Sequence, residues 1–347
     1  MSFKARSGPW LLFVCSAAIA CSENSAGGKS NAAAGASSGG AKSDAGSSPT
    51  THGGKNSSGG SSAGTAALAG KGTGGAPASM ADGGAAGAAG AGGALDEAPE
   101  PSDGCGGPSK PATGKQTVDV NGTKRSYYLI AAEVAEAVPL YIGFHGYGGN
   151  GEADQHTFNL QSHADGKGVF MFPDGVVQSW WQDALGWDNR NNDNPDMDFV
   201  KKLIEEAKAK HCIDTSRIFV MGFSWGGWMA TQVGCALGDQ LRAFASVAGG
   251  GPMNNVGCKP TSTLIMHGSN DNSEDISSGR ASRDNFSKLN ACQTASSPVA
   301  DAHCASYAGC SLPLWWCEHE GSHEVPSWGG DAVWQFFRDA PARPVRR

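Results

Sequence analysis

Ile218-Phe219-Val220-Met221-Gly222-Phe223-Ser224-Trp225-Gly226-Gly227-Trp228-Met229-Ala230 decides how this chain is read. An apolar run stops at Gly222-x-Ser224-x-Gly226, and a helix-forming stretch follows. That order predicts a strand, a sharp turn and a helix, the local geometry of a nucleophile elbow. Strand and helix backbones approach closely at such a turn, so a side chain at Gly222 or Gly226 would collide. Ser224 is then held at the tip with its hydroxyl exposed. The N–H of Trp225 points to where an oxyanion would form. The same expression recurs at Gly35-Ala36-Ser37-Ser38-Gly39 and Gly60-Ser61-Ser62-Ala63-Gly64, in a chain with 51 glycines. Neither copy follows an apolar run or precedes an amphipathic helix. The flanks, rather than the pattern, therefore single out Ser224 against the bland reading of a bystander serine in a Gly-rich turn.

Working outward from the elbow, short apolar runs alternate with helical patterns. Gln116–Val120 and Lys124–Ile130 flank Asn121-Gly122, a strong hairpin signal. Pro139–Phe144 and Gly168–Phe172 read as buried strands, and Glu152–His163 between them reads as one helix. Asp196–His211 carries Phe199, Leu203 and Ala207 at helical spacing. After the elbow helix, strands are expected at Ala243–Ala248, Thr263–Met266 and Leu314–Cys317, with helices at Ile276–Leu289 and Asp331–Arg338. This alternation predicts an α/β domain with a mainly parallel central sheet and helices on both faces. Ligands of such sheets gather at the carboxyl ends of the strands.

The rest of the composition divides the chain. Residues 1–20 read as an export signal: Lys4 and Arg6, then an apolar core from Trp10 to Val14. It ends in Ala18-Ile19-Ala20-Cys21, which resembles a bacterial lipobox with Cys21 as the lipidated residue and Ser22 as an outer-membrane sorting signal; simple secretion is the alternative. Residues 21–104 are Gly, Ser and Ala with scattered charges and prolines, expected to remain a disordered, flexible tether. The domain is expected over 105–340. A formal charge of -7 and no basic stripe argue against a nucleic-acid partner. Eight cysteines follow the tether and read as disulfides of an oxidising compartment. Without a CxxC pair, a zinc site is disfavoured even though His319 and His323 lie beside Cys317. Cys105, Cys212, Cys235 and Cys258 are expected at the amino edge of the sheet. Cys292, Cys304, Cys310 and Cys317 form a second group near His323, with Cys310 facing Cys317 and Cys292 facing Cys304.

A serine needs a base, and the base a carboxylate to orient it. One strand ends in His267-Gly268-Ser269-Asn270-Asp271 and a later one in Glu318-His319-Glu320-Gly321-Ser322-His323. Asp271 and His323 thus follow Ser224 in chain order, each just past a strand end. Glu274 and Asp275 are rival carboxylates and His319 is the rival base. His145-Gly146-Tyr147 follows another strand; its glycines let the backbone approach the elbow, and the Tyr147 N–H is the second expected oxyanion donor, with His145 itself structural. Trp180, Trp181 and Trp187 form an aromatic loop that either stacks on a substrate ring or caps the core.

Gly222-Phe223-Ser224-Trp225-Gly226-Gly227, Phe144-His145-Gly146, His267-Gly268-x-x-Asp271, Ile276-x-x-Gly279-Arg280-x-x-Arg283-Asp284-x-Phe286 and Gly321-x-His323 together resemble the secreted feruloyl esterase and polyhydroxybutyrate depolymerase branch of the α/β-hydrolases. The esterases of carbohydrate esterase family 1 belong to this branch. The resemblance spans about residues 105 to 338. It implies a cofactor-free serine esterase with Ser224 as nucleophile, Asp271 as acid, His323 as base, and Tyr147 and Trp225 as oxyanion donors. The implied substrate is an ester that is polysaccharide-linked or polymeric, hydroxycinnamoyl esters leading. A polyhydroxybutyrate depolymerase and an acetylxylan esterase are the near alternatives. A serine peptidase and an inactive surface-binding module are the distant ones.

Overall fold

The computed structural model describes residues 98–107, 111–180 and 183–342. The expected signal, Cys21 and the linker up to residue 97 lie outside the described residues, as does Trp181. In chain order a short 3-10 helix (Asp103–Gly106) comes first, then strands β1 (Ala112–Val120), β2 (Thr123–Ala131) and β3 (Val138–Phe144). Two one-turn helices follow, α1 (Gly151–Asp154) and α2 (Leu160–His163), then β4 (Val169–Pro173) and the short strands β5 (Val176–Gln178) and β6 (Ala184–Gly186). The central part is α3 (Pro195–Lys210), β7 (Ile213–Phe223), α4 (Trp225–Ala236), β8 (Ala243–Val247), β9 (Ser262–Gly268) and α5 (Ile276–Leu289). It closes with β10 (Ser296–Pro298), β11 (Ala305–Tyr307), β12 (Leu314–His319) and α6 (Gly329–Asp339).

Among the described residues, ten strands form one sheet in the order β1-β2-β4-β3-β7-β8-β9-β12-β11-β10. From β4 to β12 every neighbouring pair is parallel, and antiparallel strands finish both edges. Successive residues of a strand face opposite sides, and both sides here are covered. Leu140, Ile142, Ile218 and Val220 pack with α3, α4 and Phe286 of α5. Tyr141, Phe219 and Met221 pack with Leu160 of α2 and with Val333, Phe336 and Phe337 of α6. This is the expected mainly parallel sheet with helices on both faces.

Local chemistry sets the ends of α3. Asn194 accepts from the N–H groups of Asp196 and Met197, Pro195 opens the helix, and Lys208 and Lys210 sit in its last turn. Asp196 then binds Arg125 of β2 at 2.7 Å, with both side chains buried. Its other oxygen accepts from the Asp188 N–H and from Gln178. One buried carboxylate therefore ties Gln178 and Asp188 to the sheet.

Three expectations are corrected. The single helix over Glu152–His163 is two separate turns. Phe158 between them is 2 % exposed, and Asn159 adopts a left-handed φ of 49° that breaks the helix while Phe158 is drawn into the core. The folded part begins before Cys105: Pro101 bridges Asp214, and the Ser102 N–H bonds the Ile213 carbonyl. Within the second cysteine group the partners are exchanged. The bridges are Cys105–Cys212, Cys235–Cys258, Cys292–Cys310 and Cys304–Cys317. The sheet decides this, because Cys292 and Cys310 pack on one face and Cys304 and Cys317 on the other. The antiparallel register of Ala305 against Trp316 sets Cys304 beside Cys317.

Asp154 closes α1 inside the core. Its Oδ1 accepts from Thr157 Oγ1 at 2.9 Å, and its Oδ2 has no hydrogen-bond partner among the described residues. Burial pushes this carboxyl up to about 7, against the Thr157 bond that pulls it down. The folded state thus holds a proton that the unfolded chain has lost. The resulting stability is complete below about pH 4 and disappears as the pH rises through about 7, a swing of roughly 4 kcal/mol at most. Asp154→Asn should remove that slope. Its melting temperature relative to wild type should climb between about pH 5 and about pH 8, which paired thermal melts will read; parallel curves would contradict the assignment.

Candidate active site

The elbow is built as its glycines require. A Cβ on Gly226 would lie 1.8 Å from the Phe144 carbonyl oxygen, and one on Gly222 would lie 2.1 Å from that of Gly226. Ser224 sits between β7 and α4 with φ 58° and ψ -123°, a conformation that non-glycine residues hold only when their surroundings enforce it. Its N–H bonds the Val247 carbonyl, and its own carbonyl accepts from Trp228 one turn along α4.

Because β7, β9 and β12 are parallel, the residues after each strand meet on one edge of the sheet. His323 Nε2 lies 2.8 Å from Ser224 Oγ, and His323 Nδ1 lies 2.7 Å from Asp271 Oδ2. Asp271 Oδ1 accepts the N–H groups of Ser273 at 2.9 Å and Glu274 at 2.8 Å. Burial pushes this carboxyl up, but the Glu274 N–H, the His323 ring and the Ser273 N–H together hold it below the usual aspartate value. An ionised Asp271 requires the proton on His323 Nδ1, which leaves Nε2 as the acceptor for the serine hydroxyl. A chain of this kind can draw a proton from Ser224 Oγ and return it to a leaving group.

The rivals have other duties. Asp275 caps α5 by accepting from the Ser277 N–H. Glu274 Oε2 accepts from the indole of Trp228 at 3.2 Å. His319 ends β12; its Nδ1 accepts from the Gly321 N–H at 3.1 Å, and burial holds the ring below the usual histidine value. His145 is structural as expected. Its Nε2 accepts from the Gly175 N–H at 2.9 Å and its Nδ1 contacts the Gly146 carbonyl at 2.7 Å, which defines a neutral ring. Burial lowers its pKa, against the Gly146 carbonyl, Asp174 and Asp196, which raise it. This ring fixes the 145–149 turn, in which Gly146 packs against Ser224 closely enough that a Cβ would be 3.3 Å from the serine Cβ.

A cavity of about 450 Å³ opens over Ser224 and His323, lined by Tyr147, Trp180, Trp225 and Trp228 with Asn189, Met253, Ser273 and Glu274. Tyr147 stacks on Trp225, and Trp180 meets Trp225 edge-on. Of the aromatic loop, Trp180 lines the cavity, whereas Trp187 does not. Trp187 is 0 % exposed, packs edge-on against Phe144, and donates its indole N–H to the His145 carbonyl at 2.9 Å. It is a core support for the 145–149 turn, whose first carbonyl its indole holds. Trp228, Asn189, Met253 and Ser273 were not read from sequence as lining residues. Only Trp228 carried a signal, one helical turn beyond Ser224 on the same face of α4.

The phospholipase/carboxylesterase family model matches residues 127–308, just over half of the chain. The chain belongs to that family. It is a carboxylic ester hydrolase, and its resemblance to the feruloyl esterase branch holds in its curated relatives. It is 31% identical over 261 residues to the probable feruloyl esterase C of Aspergillus terreus, covering 69% of this chain and 92% of that one. Against the feruloyl esterase C of Emericella nidulans it is 29% identical over 260 residues, covering 67% and 93%. Among solved structures, the acetyl xylan esterase from Aspergillus awamori superposes with a TM-score of 0.53 at 15% identity, covering 65% of this chain and 99% of that one. At that identity the likeness is one of fold: this phospholipase/carboxylesterase family member shares the α/β-hydrolase architecture of esterases. The family match includes Ser224 and Asp271 and ends before His323.

Proposed function

We propose that this esterase hydrolyses hydroxycinnamoyl esters of plant polysaccharide through a Ser224-His323-Asp271 triad. Ser224 Oγ attacks the ester carbonyl while His323 Nε2 takes its proton. The N–H groups of Tyr147 and Trp225 receive the oxyanion, the first beside Gly146 and the second at the start of α4. His323 then protonates the departing alcohol, and water clears the acyl-enzyme by the same route. The observation that carries the substrate class is the cavity wall. Four aromatic side chains, Tyr147, Trp180, Trp225 and Trp228, surround the serine in a space of about 450 Å³. That volume suits an aromatic acyl group, and an acetyl group would leave most of it empty. The names of the feruloyl esterase C relatives point the same way.

We also propose that the enzyme is exported and held at the outer membrane by a lipid on Cys21, with the Gly-, Ser- and Ala-rich stretch that follows as the tether. Four disulfides support an oxidising compartment. One fractionated expression of the full chain tests both statements. The membrane fraction should cleave methyl ferulate faster than acetylated xylan or a hydroxybutyrate oligomer. Turnover of either alternative without methyl ferulate overturns the substrate class. Activity found wholly outside the membrane fraction overturns the anchor.

A further inference from the structure

Glu274 stands apart from the other charged groups of the site. Asp271 and His323 are engaged with each other and with Ser224. Glu274 lines the same cavity, and no Lys or Arg is among the described residues that do so. Its position is held from three sides. Its N–H donates to Asp271 Oδ1 at 2.8 Å, and its carbonyl lies 2.9 Å from Nε2 of the buried His267. Its Oε2 accepts from Trp228 Nε1, and the backbone N–H of Trp228 in turn bonds the Ser224 carbonyl. The carboxylate is therefore fixed relative to both the acid and the nucleophile. Only Oε2 has a hydrogen-bond partner among the described residues, which leaves Oε1 available to a ligand. A carboxylate in an aromatic-walled cavity accepts hydrogen bonds and donates none. It rewards a substrate O–H, and it disfavours an anionic substrate that finds no cation in the wall to offset it.

We propose that Glu274 is the group by which this cavity recognises a neutral hydroxyl of the ester substrate. This rests on the esterase reading of the same cavity. The hydroxyl has two possible sources, the phenol of the acyl ring or a sugar hydroxyl beside the ester, and the test separates them. In the acyl arm, kcat/KM is compared for methyl ferulate and methyl 3,4-dimethoxycinnamate, which differ by one O–H. In the alcohol arm, it is compared for an acetylated methyl xyloside with free and with methylated neighbouring hydroxyls. In the wild type one of these pairs should favour the free hydroxyl by about tenfold, the worth of a hydrogen bond to a charged acceptor. Glu274→Gln should shrink that preference by about the same factor, acting mainly through KM. Trp228→Phe, which frees Oε2, should alter it in the same pair. The arm that responds locates the hydroxyl. If neither preference changes in a folded Glu274→Gln or Glu274→Leu enzyme, the proposal fails while the esterase reading stands. If the wild type cleaves no cinnamate, the hydroxycinnamoyl reading fails, and the alcohol arm still decides for or against Glu274.

Discussion

Ser224→Ala should lower kcat/KM for carboxylic esters by about 10⁴-fold or more, leaving only what the oxyanion donors and binding provide. The serine Oγ is the one hydroxyl within hydrogen-bond reach of His323 Nε2, at 2.8 Å, among the described contacts. In the proposed mechanism its removal deletes the acyl acceptor and leaves the base with nothing to activate except water. The fold should be unaffected. The backbone bonds of residue 224, to Val247 and from Trp228, do not involve the side chain, and alanine can hold the same turn. Stopped ester turnover with an unchanged melting temperature is the expected result. A folded Ser224→Ala protein that still turns over ester at the wild-type rate would remove Ser224 from the mechanism.

Asp271→Asn should reduce kcat by about 10³- to 10⁴-fold at neutral pH. Asp271 Oδ1 accepts two backbone N–H groups, from Ser273 and Glu274. An asparagine keeps those bonds only by placing its carbonyl there, so its NH₂ faces His323 Nδ1. Two donors cannot face each other, and the ring proton moves to Nε2. There it points at Ser224 Oγ and blocks the proton transfer. The companion variant Asp275→Asn tests the rival carboxylate. Asp275 caps α5, so its replacement should cost no more than about 1 kcal/mol of stability and leave kcat as it was. A larger kcat loss in Asp275→Asn than in Asp271→Asn would reverse the two roles.

Much of this was legible in the sequence because it depends on local order. The elbow shows in the chain since an apolar strand, two close-approach glycines and a helix must be contiguous. Ser224, Asp271 and His323 were readable because each follows a strand, and parallel strands bring their carboxyl ends to one edge whatever lies between them. The division of cysteines into two groups followed from the same logic. Which partner each cysteine takes was not legible. It depends on which side of the sheet a residue faces and on the short edge strands β10 and β11, whose exposed and half-buried Ser-containing segments carry no apolar period. The tryptophans divided in the same way. Trp180 and Trp187 look alike in sequence, yet one lines the cavity and the other is buried beneath His145. Glu274 reads in sequence only as a rival carboxylate to Asp271, and its bond to Trp228 joins residues 46 apart in the chain. Sequence alone determined the parallel centre of the sheet, the elbow and the order of the catalytic candidates, because contiguous patterns encode strand ends. Tertiary structure alone decided the cavity wall, the cysteine partners and the place of Glu274. Each of those is a contact between segments apart in the chain, which no contiguous pattern encodes; for Cys304 and Cys317 the strand register also decides the face on which they meet.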